Sequence, residues 1–337
     1  MDFAEINTAD AEGAIAAHSV RQGDLVIRKG EAITASLVDR LLAENIARVT
    51  VARLAADDLN ENDVARDLAL RAAGDHVRVA DPFTGRANLF SLARGVLRVD
   101  AAGVDRFNMI DERATIATLA PWKVVEAGEM IATVKIIPFA IDAATAMRVS
   151  EAAPRLVSVS PFAAKKIGVI STLLPGLKAK TIKKTLQVME GRLAPAQSSL
   201  AWETRVAHDT AALAGALREM SAQAPDMIVI FGASAVTDRR DVIPAAIEQA
   251  GGRLIHVGMP VDPGNLLVLG EIGGKPALGA PGCARSPREN GFDWVLQRLL
   301  ADVPVGPGDV MRMGVGGLLM EIGARGQPRD AAPGDAE

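Results

Sequence analysis

Residues 226–244 show the architecture of the chain most clearly: Asp226-Met-Ile-Val-Ile-Phe-Gly-Ala-Ser-Ala-Val-Thr-Asp-Arg-Arg-Asp-Val-Ile-Pro244. The apolar run that ends at Phe231 predicts a strand buried on both faces. Small and polar residues follow it, and Asp241 stands where a helix N-cap is expected. Small residues at a strand end let a ligand approach the backbone, whose amides then face an anion. The stretch therefore predicts a binding loop in an α/β domain.

The same sequence pattern continues on both sides of this loop: predicted apolar strands alternate with predicted helices from about residue 154 to residue 303. This pattern is typical of a parallel sheet covered by helices on both faces. Strands are predicted at 166–171, 199–206, 227–231, 253–257, 266–271 and 275–279, and helices at 178–190, 210–222, 242–250 and 287–300. We therefore expect an α/β fold with a three-layer, mostly parallel sheet.

The preceding part of the chain has a different pattern. Residues 1–153 contain mainly short strands with two capped helices, which predicts an N-terminal β-rich α+β domain. Glu151-Ala-Ala-Pro154 is interpreted as the linker to the second domain. Glycine-rich turns over residues 304–323 predict a C-terminal hairpin, and the polar residues 324–337 predict a disordered tail.

The overall composition excludes several classes of protein. The 337 residues are 49% hydrophobic with a net charge of −4, which argues against a general nucleic-acid binder. A single cysteine, Cys283, forms no intrachain disulfide and fits a reducing compartment. No apolar run approaches the roughly 18 residues that span a bilayer, and the N-terminus has no signal-peptide pattern. We expect a cytoplasmic protein with no membrane partner.

Three predicted loops follow the carboxyl ends of the strands in the second domain. They begin near Ile170, Gly232 and Gly258, and the last of them continues after two strands at Leu278. In an open parallel sheet such loops converge on one crevice. They offer hydroxyls, free amides and one guanidinium, which suit a phosphorylated polar ligand. The predicted substrate-binding residues are Ser171, Thr172, Gly232, Ser234, Thr237, Asp238, Pro263, Gly264, Pro281, Gly282, Arg285 and Ser286.

The order of motifs from about Lys165 to Leu300 resembles the molybdopterin-binding domain family of the MoeA and MogA type. Asp241-Val-Ile-Pro244 is similar to the family's Arg-Asp-Val-Thr-Pro, and the loop before it is similar to Gly-Gly-Thr-Gly. Pro263-Gly264 is like the Pro-Gly-Lys-Pro turn. The segment Gly273-Gly-Lys-Pro-Ala-Leu-Gly-Ala-Pro-Gly282 is similar to GGKPVFGLPGNP. Residues 1–150 resemble the leading region of MoeA-like proteins only loosely.

This resemblance implies a MoeA/MogA-like molybdopterin-binding fold and a site for molybdopterin or molybdenum-molybdopterin. It implies that Asp241 is the catalytic carboxylate, placed near the dithiolene or metal end, where it would help to position hydrated Mg²⁺ and phosphates. Related bacterial proteins join a similar unit to a MobA-like nucleotidyltransferase, so such an enzyme or a molybdoenzyme is an expected partner. A site between the subunits of a homo-oligomer is also expected.

Departures from the family's pattern leave the activity open. Ala233 and Ala235 add methyl groups to the glycine loop, Asn265 replaces a cation, and the Pro-Gly-Asn-Pro turn ends in Cys283 and Ala284. One hypothesis is cofactor biosynthesis or handling, by adenylylation, molybdenum insertion or presentation for nucleotide addition. A second is a non-catalytic carrier, and a third is a CinA-like nucleotide pyrophosphatase. A soft thiolate at Cys283 is a further candidate ligand for molybdenum.

Overall fold

The structure, a computed structural model, describes residues 1–176 and 179–319. The chain divides into two compact units, the first formed by Met1–Pro161 and the second beginning at Phe162. The sequence favours a division after residue 153 instead. Residues 154–161 belong to the first unit because Val157–Pro161 forms a strand that pairs with Gly95–Val99.

The first unit is rich in short antiparallel strands. Its strands are β1 Asp2–Asn7, β2 Ile15–Ala16, β3 Val20–Gln22, β4 Leu25–Ile27, β5 Arg48–Arg53, β6 Asp58–Asn60, β7 Val77–Val79, β8 Arg86–Ser91, β9 Gly95–Val99, β10 Ala114–Thr118, β11 Val124–Val125, β12 Met130–Ile136, β13 Ala140–Asp142 and β14 Val157–Pro161. Its helices are α1 Ala35–Ala43, α2 Glu61–Ala72, α3 Ala101–Asn108 and α4 Ala143–Glu151. Its larger sheets have the orders β10-β12-β8-β7, β1-β5-β2 and β11-β9-β14.

Two clusters of buried side chains stabilise this unit. One contains Ile27, Ile33 and Leu41 from the first 51 residues. The other packs α2 against the four-stranded sheet through Leu68 and Leu89. The β-rich α+β character predicted for this part of the chain agrees with these elements.

The second unit contains strands β15 Lys166–Leu173, β16 Ser199–Ala207, β17 Met227–Phe231, β18 Arg253–Val257, β19 Val268–Ile272 and β20 Lys275–Ala280. Its helices are α5 Ala179–Leu193, α6 Thr210–Ala222, α7 Val242–Gln249, α8 Gly291–Leu300 and α9 Pro307–Met311. The strands form one sheet in the order β16-β15-β17-β20-β19-β18. Every residue of the central strand β17 is buried, as its continuous apolar run predicts.

The predicted mostly parallel sheet is not confirmed, because the sheet is mixed. Strands β16, β15, β17 and β20 are parallel, whereas β19 is antiparallel to both of its neighbours. The reason is the turn Gly273-Gly274, whose φ angles are 58° and 76°. A two-residue turn with positive φ at both positions joins antiparallel strands and leaves no room for a crossover.

Alternate residues of the central strands pack against different helices. Val169, Val229 and Phe231 cluster with buried residues of α5 and α8. Ile170 and Ile230 cluster with buried residues of α6 and α7. This alternation follows from the two-residue period of a strand. Because β15, β17 and β20 are parallel, the loops that follow them lie at the same edge of the sheet.

The predicted hairpin over residues 304–323 is wrong in its described part. Residues Pro307–Met311 form α9, in which Pro307 occupies the first turn and Asp309 accepts a hydrogen bond from the Gly306 amide at 2.9 Å. Proline at the first turn and an acidic residue near it both favour a helix start. Residues 320–323 and the predicted tail 324–337 lie outside the described residues. No helix among those described has the length and apolar character needed to cross a membrane.

Candidate functional site

The loop after β17 is held by Asp241, which caps α7. Its Oδ1 accepts a hydrogen bond from the Val242 amide at 2.7 Å, and its Oδ2 accepts one from the Thr237 amide at 3.0 Å. One carboxylate oxygen therefore binds the first amide of α7 and the other binds an amide of the loop, and the helix dipole favours a negative charge at this position. The residue predicted to be catalytic has a structural role in this loop.

Gly232 begins the loop at a point where a side chain has no room. A Cβ atom at this position would lie 2.8 Å from Cδ1 of Ile243 and 3.0 Å from the Ser234 carbonyl. Glycine therefore allows the loop to pack against the first turn of α7. Gly282 differs, because a Cβ atom there would meet nothing within 4 Å.

A cavity of about 140 Å³ lies between the loop after β17 and the loop after β20. It is lined by Gly232, Ala233, Ser234, Ala235, Val236, Leu266, Ala280, Pro281, Gly282 and Arg285. The structure thus brings together five of the predicted site residues, namely Gly232, Ser234, Pro281, Gly282 and Arg285. Among the described lining residues only Ser234 and Arg285 have polar side chains.

Arg285 is the only charged residue in the lining of this cavity. Its Nη1 donates to Thr185 Oγ1 at 2.9 Å, and its Nη2 donates to the Gly232 carbonyl at 3.0 Å. Its guanidinium lies 5.4 Å from the centre of the Phe231 ring. Burial lowers the pKa of Arg285, and no carboxylate of the described residues forms an ion pair with it. A half-buried cation without a counterion favours the binding of an anion.

The end of β15 contributes two hydroxyls with different surroundings. Thr172 is fully buried, and its Oγ1 accepts a hydrogen bond from the Ala233 amide at 2.8 Å. Its Oγ1 also lies 2.8 Å from Nδ1 of His208. Ser171 is 1% exposed and its Oγ has no hydrogen-bond partner among the described residues. Ser171 pairs with Phe231 in the sheet, next to the ring that Arg285 covers.

Arg192 on α5 holds the loop after β20, and the sequence did not suggest this role. Its Nε donates to Asp293 Oδ1 at 2.5 Å, and its Nη1 donates to the Ala284 carbonyl at 2.7 Å. Its Nη2 donates to the Ser286 carbonyl at 2.8 Å. The two charged side chains are only 9% and 10% exposed. This buried pair fixes the backbone on either side of Arg285.

Several predicted residues lie apart from the cavity lining. Pro263 and Gly264 pack against the start of α8, where the Gly291 amide donates to the Pro263 carbonyl at 2.9 Å. Thr237 contributes only its amide to Asp241 in the described contacts. The hydroxyl of Ser286 accepts a hydrogen bond from the Arg288 amide at 3.3 Å.

The surroundings of Asp238 and Cys283 shift their ionisation in different ways. Asp238 Oδ1 accepts hydrogen bonds from the amide and Nε of Arg240, which lower the pKa of Asp238. Burial raises the pKa of the Cys283 thiol, which disfavours the thiolate that binds metals. Within residues 1–176 and 179–319 no group of three or more His, Cys, Asp or Glu side chains is placed to hold a metal ion.

Comparisons with known proteins add little to this geometry. No protein-family model matches the chain, and no curated protein matches it. Solved structures that are similar include the protein CinA of unknown function from Thermoplasma acidophilum. It is 17% identical with a TM-score of 0.30, over 36% of this chain and 90% of that chain.

Two other similar structures are named for molybdopterin biosynthesis. The MoeA protein from Pyrococcus horikosii is 14% identical with a TM-score of 0.31, over 89% of this chain and 75% of that chain. The MoaB enzyme from Thermus thermophilus is 16% identical with a TM-score of 0.29, over 42% of this chain and 98% of that chain. At TM-scores this low these likenesses carry no argument, so the proposals below rest on the site and its motifs.

Proposed function

We propose that the second unit binds molybdopterin, or its molybdenum form, at the cavity between the loops after β17 and β20. The observation that carries this proposal is Arg285, a half-buried cation that lines the cavity without a carboxylate partner among the described residues. The phosphate of molybdopterin supplies the missing negative charge. The motif order around Asp241, Pro263 and Pro281 supports the pterin as the rest of the ligand.

The cavity has room for the anionic end of this ligand. Its volume of about 140 Å³ lies below the range of 300–1,000 Å³ typical of pockets that enclose a drug-sized molecule. We therefore assign the phosphate to the cavity. The pterin then extends over the exposed Ser234 and Ala235 toward solvent or a second subunit of a homo-oligomer.

Within this proposal, a carrier role is favoured over catalysis by Asp241. Both oxygens of Asp241 accept amide hydrogen bonds, so this carboxylate serves to hold the loop in position. A carrier would present the bound cofactor to a nucleotidyltransferase of the MobA type or to a molybdoenzyme. Processing of the cofactor by adenylylation or molybdenum insertion is the alternative within the same site.

Titration of the full chain with purified molybdopterin, with and without ATP, CTP and Mg²⁺, tests the proposal. We expect binding by the unmodified protein and an affinity about ten- to a hundredfold lower for Arg285→Met, since a charge-assisted hydrogen bond contributes about 1.5–3 kcal/mol. The exposed neighbour Arg288 offers a matched control, and Arg288→Met should bind nearly as well as the unmodified protein.

The outcomes separate the hypotheses. Failure of the unmodified protein to bind molybdopterin would refute both the processing and the carrier roles. Binding without chemical change of the ligand selects the carrier. Turnover that survives in Asp241→Ala would remove Asp241 from any catalytic mechanism.

A further inference from the structure

We propose that His208 is a positioning residue that fixes the peptide group between Gly232 and Ala233 through the hydroxyl of Thr172. The consequence for ligand affinity rests on the proposed function, whereas the positioning itself does not. His208 follows β16, Thr172 lies near the end of β15, and Gly232 and Ala233 follow β17, and these three strands are neighbours in the sheet.

The parallel pairing of β15 with β16 brings His208 to this position. Thr172 pairs with Val206 and Leu173 with Ala207, and the amide of His208 then donates to the Leu173 carbonyl at 2.9 Å. This last backbone bond places the imidazole beside Thr172, with Nδ1 at 2.8 Å from Oγ1. The position of the histidine is therefore set by the sheet.

The Thr172 hydroxyl has one proton and two lone pairs. It accepts a hydrogen bond from the Ala233 amide at 2.8 Å and has a second bond to Nδ1 of His208, in which it donates when Nδ1 carries no proton and accepts when Nδ1 carries one. Each bond in such a chain polarises the next one. Without the imidazole, a fully buried hydroxyl has to find another acceptor or remain unpaired, which costs free energy.

The amide of Ala233 and the carbonyl of Gly232 belong to the same peptide group. The carbonyl accepts a hydrogen bond from Arg285 Nη2 at 3.0 Å, while the amide donates to Thr172. In a planar trans peptide these two groups point in opposite directions. The peptide is thus held from both sides, by Arg285 on one and by Thr172 with His208 on the other.

This arrangement gives His208 an effect on the cavity without contact with the ligand. A rotation of the peptide would release the Nη2 group of Arg285 and turn the Ala233 amide away from Thr172. By holding the Thr172 hydroxyl in place, His208 resists that rotation and preserves the position of the Arg285 guanidinium at the cavity.

Hydrogen exchange at the Ala233 amide, followed by NMR in the ligand-free full chain, tests the positioning directly. His208→Ala should raise the exchange rate about two- to tenfold, the factor that one neutral hydrogen bond contributes. His208→Gln, which keeps a hydrogen-bonding side chain, should restore the rate to within about twofold of the unmodified protein. His256→Ala on the edge strand β18 serves as the control and should leave the Ala233 rate unchanged.

Variants of Thr172 test the same hydrogen-bond chain independently, again through exchange at the Ala233 amide. Thr172→Val removes the hydroxyl at nearly constant volume and should raise the rate at least as much as His208→Ala, whereas Thr172→Ser keeps the hydroxyl. Combining His208→Ala with Thr172→Val should add nothing to the effect of Thr172→Val alone, because both act on one chain of bonds. Unchanged exchange in His208→Ala, or fully additive effects in the double variant, would overturn the proposal.

Binding of molybdopterin by the same variants gives a separate readout. His208→Ala should weaken binding by a factor similar to its effect on exchange, and His208→Gln should restore it. Absence of binding in the unmodified protein refutes the proposed function, while the exchange rates still decide the role of His208. Binding that is equal in all variants despite faster exchange would refute the link between the peptide group and the ligand.

Discussion

Replacement of Arg192 by methionine tests whether the loop after β20 depends on the buried ion pair. Methionine fills much of the same volume but donates no hydrogen bonds. The carboxylate of Asp293, 10% exposed, would then keep only the hydrogen bond from the Asn290 amide at 2.9 Å. The carbonyls of Ala284 and Ser286 would lose their donors as well.

The size of the effect follows from this burial. Removal of one partner from a buried ion pair typically costs about 3–5 kcal/mol, because the remaining charge is left in a medium that solvates it poorly. The exposed pair Arg253–Glu271, with side chains 68% and 37% exposed, is the matched control. Arg253→Met should cost no more than about 1 kcal/mol.

Hydrogen exchange measured by mass spectrometry suits this test, since a chain with two units need not unfold in one transition. Peptides from the core of the second unit should exchange roughly two to three orders of magnitude faster in Arg192→Met when they exchange through unfolding of that unit. Peptides from residues 1–161 should be unaffected. An effect no larger than that of Arg253→Met would refute the assignment of Arg192 as the residue that holds this loop.

The double variant Arg192→Met with Asp293→Asn identifies the source of the cost. An asparagine oxygen still accepts the hydrogen bond from the Asn290 amide, but it carries no charge. If the unpaired buried carboxylate of Asp293 causes most of the loss of stability, the double variant should be more stable than Arg192→Met alone. A double variant that is less stable than either single variant would show that the lost hydrogen bonds dominate.

Three further predictions concern other parts of the molecule. Gly232→Ala should destabilise the second unit by about 1–3 kcal/mol through its contact with Ile243, whereas Gly282→Ala, in open space, should not; thermal unfolding compares the two. Asp241→Ala should cost about 0.5–2 kcal/mol and Asp241→Asn less, as measured by urea unfolding, because asparagine also caps helices. Hydrogen bonds from Arg113 lower the pKa of Asp111 from 3.8 to about 2. The contact therefore stabilises the first unit fully above pH 3.8, and this stabilisation is lost as the pH falls through about 2. In unfolding measurements across this pH range, the difference in stability between the unmodified protein and Asp111→Asn should shrink as the pH falls from 3.8 to about 2.

The elements that the sequence predicted best are those whose signals are local. Strand β17 has the predicted bounds because its apolar run ends at a glycine, and α6 has them because Asp209 caps it and its Oδ1 accepts the Ala212 amide at 2.9 Å. Helices α3 and α4 were missed, although Asp100 and Asp142 cap them in the same way. They are only 8 and 9 residues long, so their apolar residues cover about two turns, too few for a helical period to stand out in the sequence.

The antiparallel direction of β19 relative to β20 is set by the turn Gly273-Gly274, which is visible in the sequence. Two glycines between apolar runs indicate a tight hairpin, yet the alternation of strands and helices around them favoured a parallel sheet. The local turn decides the direction, because a chain cannot cross over a sheet in two residues.

The residues of the candidate site also differ in whether local sequence signals could predict them. Arg285 was predicted from its place in a loop after a strand, and Asp241 from its place at a helix start together with the family resemblance. His208 and Arg192 were not, because their partners are 36 and 101 residues away in sequence. Which side chains meet across such distances depends on strand register and helix packing, and a single sequence specifies neither directly. Sequence reasoning therefore finds the loops of this site and some of the residues that hold them, such as Asp241 and Thr172, but not the more distant His208 and Arg192.

The contacts of the loop after β17 also bear on what kind of function the site supports. Three contacts fix the backbone of this loop. The Asp241 carboxylate accepts a loop amide, Thr172 and Arg285 hold the first peptide group, and Gly232 packs closely against Ile243. A rigid loop with few free acidic or basic groups lowers the entropic cost of ligand binding. Both carboxylates of the loop make contacts within it: Asp241 accepts two amide hydrogen bonds, and Asp238 accepts two hydrogen bonds from Arg240. Under the proposed function, the same contacts would hold this loop in place as a binding surface for the ligand.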